Sequence, residues 1–455
     1  MDNSHDTTSF NYIADFGNLE LSATMYENDF ARNWFKVDKI DNNKVYGHGN
    51  GINNIIAAAN AGEATASAIL NGTNAQAVQI KLKNNNRVYT SEGTDLKLQF
   101  NTDKQSLTIG YRDTEDSEDR FQVYATTDWM NGKLGALTVG SNPGYSSNNR
   151  LTTAEATAFY INEEINFGAL TINVGFRSEE WKISQDRYVD AARSAINTEE
   201  GYPKKLADAD NSLMGFGATY DMNDTTQLFF GFHEGFTPTG GGADPEEADN
   251  MEMGIRYAKD DTYFEAIYFD TDYQNMFGEC TASGGATGSC EIGDSFNAGE
   301  ASITGFELVA QTERLGESGT MYPFSMVYTS TDASFDNTFE SNFWGSVTSG
   351  MDIPDLPDSQ LALQAGFETQ TGLRGSATYY AYGSTCSIAS CAAGTSVDSY
   401  KVIDASLTKM VSDKFDVYMV IENITDETDV VARAPKNGAR AQKPRSFTVG
   451  VRYRL

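Results

Sequence analysis

A two-residue alternation of apolar and polar side chains recurs along this chain and constrains its fold more than any other feature. The C-terminal segment 447–455, FTVGVRYRL, shows it most clearly, because its apolar side chains share one face while Arg452 and Arg454 lie on the other. Successive side chains of a β-strand point to opposite faces, which gives this period of two. The pattern recurs in segments 19–25, 96–100, 251–257, 361–368 and 415–422. Such strands belong in a sheet with one apolar and one polar face.

Short and long connections alternate between these strands. The short ones are turns at 16–18, 101–104, 131–133, 166–168, 222–224, 258–261, 315–319, 369–372 and 411–414. The long polar ones lie at 38–87, 113–120, 140–150, 183–210, 235–247, 273–301, 331–357, 383–399 and 425–444. Outer-membrane barrels follow this rule, with short periplasmic turns and long extracellular loops, whereas sandwiches and propellers do not. The spacing predicts an all-β fold, a transmembrane antiparallel β-barrel with about 19 strands of roughly 9 to 14 residues each.

Composition agrees with many strands joined by glycine turns, since aromatics make up 12% of the residues and 41 glycines accompany only 9 prolines. The chain has no run of 18 apolar residues, and its mean hydropathy of -0.44 fits either a soluble protein or a barrel with polar loops. An acidic soluble sandwich or propeller is therefore the alternative fold. Residues 52–70 have helical apolar spacing, which predicts a short helix in the first long loop or, alternatively, an amphipathic membrane anchor.

The net charge of -31 argues against nucleic acid as a partner, because nucleic acids bind to basic surfaces. The acidity indicates solubility or a salty habitat, or alternatively loops that collect cations. The first residues, MDNSHDTTSFNYIADFGN, have neither the basic nor the apolar region of a signal peptide. An odd strand count leaves the first and last strands running in the same direction, so we expect an odd number of strands to be missing upstream.

Four cysteines form two local pairs, each inside a long loop. The pairs are Cys280 with Cys290, and Cys386 with Cys391. In an oxidising cell-surface setting they predict two disulfides that pin their loops. A four-thiolate metal site is the alternative, although the spacing is not that of a zinc site.

The last long loop is locally basic in an otherwise acidic chain. Its segment RAPKNGARAQKPR carries Arg433, Lys436, Arg440, Lys443 and Arg445. Arginine forks suit carboxylates, so these five residues are the candidate site for an anionic ligand. Charge balance or contact with lipopolysaccharide is the alternative role. We find no phosphate-binding loop, no G-x-S-x-G and no HExxH motif, so the sequence predicts neither an enzyme nor a metal site.

Charged residues on the polar strand faces are numerous, and they predict side chains directed into a lumen. They are Lys97, Glu252, Arg256, Glu368, Asp404, Glu422, Arg452 and Arg454. These residues satisfy one another, hold something that fills the lumen, or line a path for a solute.

Six segments, in family order, resemble the TonB-dependent outer-membrane receptors and, among them, the ferric-citrate-receptor-like branch. They are NNRVYTSEG (85–93), IGYRDTEDSEDRFQ (109–122), GFTPTGGGADPEEADNMEMGIRY (235–257), ITGFEL (303–308), ENITDE (422–427) and GARAQKPRSFTVGVRYRL (438–455). The resemblance implies a 22-stranded barrel around an N-terminal plug, opened by a periplasmic energy-coupling protein. It implies that residues 1–455 are the C-terminal part of such a barrel, without the plug, the coupling box and about three strands.

The same resemblance implies a monomer in the bacterial cell outer membrane, in contact with lipid and lipopolysaccharide. Its partners would be a TonB-type complex, acting through the missing N-terminal region, and a ferric siderophore carried as ligand rather than as cofactor. The chain departs from the family at Leu455, where such barrels usually end in an aromatic residue. Family chelate ligands lie in variable loops and in the plug, so no ligand role can be transferred to a residue of this chain.

The leading functional hypothesis is a receptor that imports ferric citrate or another siderophore by TonB-coupled active transport. One alternative is a remnant without a plug that acts as a non-energised pore or a surface protein. Another is a receptor for a different cargo, such as cobalamin, haem or a sugar, since fold does not determine the ligand.

Overall fold

The computed structural model describes residues 2–45, 52–146, 148–239, 244–279, 295–297, 299–341, 345–433 and 437–454. Lys436, Cys280, Cys290 and Leu455 lie outside these residues. The first strands are β1 Asp2–Asp15, β2 Leu19–Asn33, β3 Phe35–Lys39, β4 Val78–Asn84, β5 Arg87–Asn101, β6 Gln105–Phe121, β7 Tyr124–Met130, β8 Lys133–Leu134, β9 Thr138–Val139, β10 Asn149–Asn166, β11 Leu170–Arg187, β12 Lys204–Asn223, β13 Thr226–Thr237, β14 Glu246–Lys259 and β15 Thr262–Gln274.

The remaining strands are β16 Phe277–Glu279, β17 Ser295–Asn297, β18 Ala301–Leu315, β19 Met321–Phe335, β20 Phe339–Ser341, β21 Gly345–Val347, β22 Ser359–Glu368, β23 Leu373–Tyr382, β24 Thr385–Cys386, β25 Ser396–Val397, β26 Tyr400–Ser412, β27 Phe415–Glu422, β28 Val430–Ala432, β29 Arg440–Ala441 and β30 Ser446–Tyr453. The two α-helices are α1 Ile52–Asn60 and α2 Ala64–Asn71, with a 3-10 turn at Thr198–Glu200.

Seventeen of the strands form one antiparallel sheet, which we call the main sheet. Its spatial order is β1, β2, β5, β6, β10, β11, β12, β13, β14, β15, β18, β19, β22, β23, β26, β27 and β30. Each strand therefore pairs with the next main-sheet strand along the chain. Short turns join neighbouring strands at one end of the strands, which we call the turn end. Long connections join them at the other end, which we call the loop end. The predicted all-β fold and the alternation of short and long connections are confirmed.

The prediction of about 19 strands is too high by two within the described residues, because one hairpin belongs to a loop. The turn at 131–133 joins β7 to β8, and β7 pairs with β4 rather than with a main-sheet strand. The charged segment 113–120, expected to be a loop, lies inside β6. Its polar residues do not end the strand, because β5 and β10 continue beside it and satisfy its backbone.

A small sheet continues above the loop end of β2, β5 and β6, and together with the two helices we call it the outer cap. Strand β4 lies between β3 and β7, and β7 also pairs with β8 and β9. The predicted helical segment forms α1 and α2, separated by Gly62 at φ 85°. Ile55, Ile69 and Val78 are buried between the helices and the sheet.

Apolar side chains on one face of the main sheet are exposed rather than packed in a core. Examples are Phe159, Val174, Met214, Phe216, Met253 and Phe306. The buried apolar clusters lie instead at the loop end, in the outer cap and around Phe335. A sheet with its apolar face outward matches a wall in contact with lipid. We call this apolar face the outer face, and the polar one the inner face.

Strand β30 has the predicted two faces. Phe447, Val449, Val451 and Tyr453 are 62–72% exposed. On the opposite face Arg454 donates to Asp416 of β27, whose side chain is fully buried. Neither helix in the described part of the chain is long and apolar enough to cross a membrane.

The main sheet curves until a loop near its first strands touches a loop near its last strand. Asn437, in the connection before the last strand, donates its backbone N–H to Asn53 of α1 at 3.2 Å. Its backbone oxygen accepts from Asn60 of the same helix at 2.9 Å. Helix α1 lies in the connection after β2, so this contact joins positions near the opposite edges of the sheet. The contact brings the first and last long loops to one side of the molecule.

Candidate functional site

The basic residues of the last loop bond to several different partners. Lys443 forms an ion pair with Glu422, at the end of β27. Arg445 pairs with Asp426 at 3.4 Å and donates to the oxygen of Ile424 at 3.2 Å. These two cations therefore brace the base of their own loop.

In the same loop β28 and β29 form a short hairpin, in which Arg433 directly follows β28 and Arg440 begins β29. Arg433 donates to the backbone oxygen of Ser396, in the preceding long loop, at 2.6 Å. Arg440 lies opposite Ala432 and is exposed, with no hydrogen bond or ion pair to a described residue. Of the four described candidates, Arg440 has the guanidinium most open to a ligand. Lys436 falls outside the described residues.

A disulfide joins Cys386 and Cys391, with 5.3 Å between their Cα atoms. It closes a turn in the loop between β23 and β26, beside the short hairpin of β24 and β25. The other predicted pair, Cys280 and Cys290, lies outside the described residues. The described disulfide pins the loop whose Ser396 accepts from Arg433.

Register places five arginines side by side on the inner face at the loop end, and we call them the arginine row. Each lies directly opposite the next on neighbouring strands of the main sheet. In order they are Arg32 on β2, Arg87 on β5, Arg120 on β6, Arg150 on β10 and Arg187 on β11. Like charges directly opposite one another destabilise a sheet unless anions compensate them.

Glu118 is the carboxylate at the centre of this row. It accepts from Arg87 at 2.7 Å and from Arg120 at 2.8 Å, and Arg150 lies 3.6 Å away. These four side chains are only 6–19% exposed. One carboxylate therefore balances three closely packed guanidinium groups.

The other two members of the row each also bond to a neighbouring neutral group. Arg32 donates to the hydroxyl of Tyr89 at 2.8 Å, and Arg187 donates to the side-chain oxygen of Gln185 at 3.2 Å. The Nε atoms of Arg32, Arg87 and Arg150 are buried without a hydrogen-bond partner among the described residues. The row is thus a concentration of positive charge with unused donors, inside a chain of net charge -31.

A lysine of the outer cap adds to this positive region. Lys83 on β4 is 5% exposed, and its ammonium group lies 5.8 Å from the ring centre of Tyr124. Burial lowers the pKa of Lys83 to about 8, opposed by Asp38 and reinforced by Arg120 and Arg87. Arginine forks and a partly buried ammonium group favour binding of carboxylate or phosphate groups.

Sequence reasoning missed the arginine row because its members are spread from residue 32 to residue 187. Only the strand register brings them together, and register depends on where each connection ends. The other predicted inward charges are partly paired: Arg256 with Glu265, and Asp404 with the backbone of Asn423.

The family described as TonB dependent receptor-like, beta-barrel matches residues 2–424. The fold is similar to the siderophore receptor PiuA from Acinetobacter baumannii, with a TM-score of 0.71, 15% identity, and coverage of 99% of this chain and 64% of that one. It is similar to the ferric citrate transporter FecA in its unliganded form, with a TM-score of 0.68, 14% identity, and coverage of 99% and 61%.

A third similar structure is the pyoverdine outer membrane receptor FpvA from Pseudomonas aeruginosa PAO1 bound to pyoverdine, with a TM-score of 0.68, 14% identity, and coverage of 100% and 62%. The chain thus spans less than two thirds of the length of these proteins. Members of the matched family are transporters rather than enzymes, and they are outer-membrane β-barrels. The chain therefore belongs to the TonB-dependent receptor family, as a β-barrel protein of the bacterial outer membrane.

Proposed function

We propose that these residues form the barrel of a receptor that imports an anionic Fe(III) chelate by TonB-coupled active transport. The arginine row carries this proposal, because it presents several guanidinium groups on the inner face at the loop end. Ferric citrate and related hydroxycarboxylate siderophores display the carboxylates that such groups bind. The similar structures named above include a ferric citrate transporter, a siderophore receptor and a pyoverdine receptor, which supports the same cargo class.

The barrel needs further parts for energised transport. We propose that residues 1–455 supply wall and outer loops, and that a plug and the region contacting the TonB-type complex come from outside them. The assignment of the described residues to the main sheet, the outer cap and loops supports this division. In the membrane the receptor is a monomer whose outer face contacts lipid and lipopolysaccharide.

Uptake of radioactive iron tests the arginine row. We expect the double variant Arg32→Gln with Arg150→Gln to bind ferric citrate at least about tenfold more weakly, because each charged hydrogen bond contributes about 1.5–3 kcal/mol. Arg374→Gln is the matched control, since Arg374 lies at the opposite, turn end of β23. Equal binding and uptake by the folded double variant and the control would reject the arginine row as the chelate site.

The last loop supplies a second, weaker contact in this proposal. Arg440 lacks a partner among the described residues, whereas Arg445 braces the loop. We expect Arg440→Gln to weaken chelate binding by a few-fold without changing the loop. Arg445→Gln should instead raise protease sensitivity of the loop at 425–444. If Arg440→Gln has no effect on binding, the exposed loop cation does not contribute to recognition.

A further inference from the structure

A cavity of about 240 Å³ lies on the inner face of the main sheet, nearer the turn end than the arginine row. It is formed over β6, β10 and β11. Its apolar wall includes Ala154, Ala156 and Ile183, and Pro238 covers it from the loop after β13. The small alanine side chains leave this space between larger neighbours. No part of the proposed chelate site contributes to it.

Trp181 lines this cavity and carries an unused donor beside it. Its side chain is 4% exposed and lies directly opposite Ala156. Phe236 packs against it, with 5.1 Å between ring centres. Within the described part of the chain the buried indole Nε1 has no hydrogen-bond partner, and a buried unpaired donor costs free energy. Buried tryptophan N–H groups normally have an acceptor.

A cation lies at the same cavity. Arg112 lines it, and its guanidinium donates to the hydroxyl of Tyr26 at 3.3 Å, which leaves further N–H donors. Arg177, by contrast, is held by Glu179 at 2.8 Å. An indole N–H and a guanidinium together favour a carboxylate as acceptor.

The rest of the lining limits the charge and shape of that guest. Asp116 and Glu179 also line the cavity, so a ligand with several carboxylates would be repelled. The alanine and isoleucine side chains favour a short apolar body. We propose that this cavity binds a short-chain monocarboxylic acid, with its carboxylate at Trp181 and Arg112. The proposal does not depend on which chelate the receptor carries.

Indole NMR tests this site directly, because the chain has only four tryptophans. The whole chain, labelled with ¹⁵N-tryptophan and folded in detergent, is titrated with butyrate at constant ionic strength. Trp181→Phe identifies the Trp181 signal by its loss. We expect that signal to move downfield and saturate with butyrate. Trp129 is an internal reference, because its Nε1 already donates to the oxygen of Ile69 at 2.8 Å.

Two other probes and one variant decide the outcome. Butanol, which lacks the carboxylate, and citrate, which carries three, should leave the Trp181 signal in place. Ala156→Leu fills the cavity while keeping Trp181, and it should weaken butyrate binding at least about tenfold. The proposal is overturned if butyrate produces no saturable shift, if citrate shifts the signal equally, or if Ala156→Leu binds butyrate unchanged.

Discussion

At the scale of single residues, Glu118 determines whether the arginine row can stay packed. Three guanidinium groups lie within 3.6 Å of its carboxylate, and two of them bond to it. Removing one partner of a buried ionic cluster leaves the remaining charge uncompensated. The stability lost in this way is larger than the net stabilisation that the intact pair provides. An anionic ligand would supply the charge that Glu118 alone lacks.

Glu118→Gln should therefore lower the free energy of unfolding by on the order of 3 kcal/mol. Glu115→Gln is the matched control, because Glu115 lies on the same strand but is exposed on the outer face. The control should change stability by about 0.5 kcal/mol or less. Urea unfolding of both variants in detergent measures the difference. Similar losses for the two would mean that Glu118 does not hold the row together.

Lys83 should make stability depend on pH. Its folded pKa of about 8 lies below the ordinary 10.5, so the unfolded chain binds this proton more tightly. Between these values the unfolded state carries more protons, and the contribution of Lys83 to the free energy of unfolding rises with pH. We expect wild type to gain stability relative to Lys83→Met as pH rises from 8 to 10.5. A constant difference across that range would contradict the lowered pKa.

At the scale of secondary-structure elements, alternation and turn chemistry were enough to predict most of the main sheet. They failed where β7 and β8 repeat the same local pattern inside a loop. The strand with which β7 pairs determines that this hairpin belongs to a loop, since β7 pairs with β4 of the outer cap and not with β6. Local sequence cannot distinguish these partners. For the same reason the basic last loop was visible as a cluster, whereas the arginine row was not.

The outer cap should unfold separately from the main sheet, because it has its own buried cluster. Ile55 in α1 is fully buried, so Ile55→Ala should destabilise the cap by about 2–5 kcal/mol. Leu70 in α2 is 42% exposed, and Leu70→Ala should have little effect. In hydrogen-exchange measurements, segment 52–84 should exchange faster than in wild type in Ile55→Ala, but not in Leu70→Ala. Faster exchange throughout β5 and β6 as well would show that cap and sheet unfold together.

At the scale of the whole molecule, the direction of the edge strands limits how the sheet can close. The main sheet has seventeen strands in the described residues, so β1 and β30 run in the same direction. Antiparallel closure between them requires an odd number of further strands. The contact of α1 with Asn437 shows that the sheet already curves toward closure.

That curvature turns the inner face into a lumen wall with its positive region at the loop end. The outer face carries the exposed apolar side chains expected in lipid. The last long loop contacts α1 of the first long loop at Asn437, and in the proposed function a ligand lies between these loops and the row. The central claim about the whole molecule is therefore that bound iron lies on the inner face at the loop end.

Anomalous diffraction at the iron edge, from crystals of the protein with ferric citrate, measures that location most directly. We predict one iron peak on the inner face at the loop end, beside the guanidinium groups of Arg32 and Arg150, that is lost in the double glutamine variant. An iron peak elsewhere, such as beside Arg440 alone, or an unchanged peak in the variant, would contradict the account.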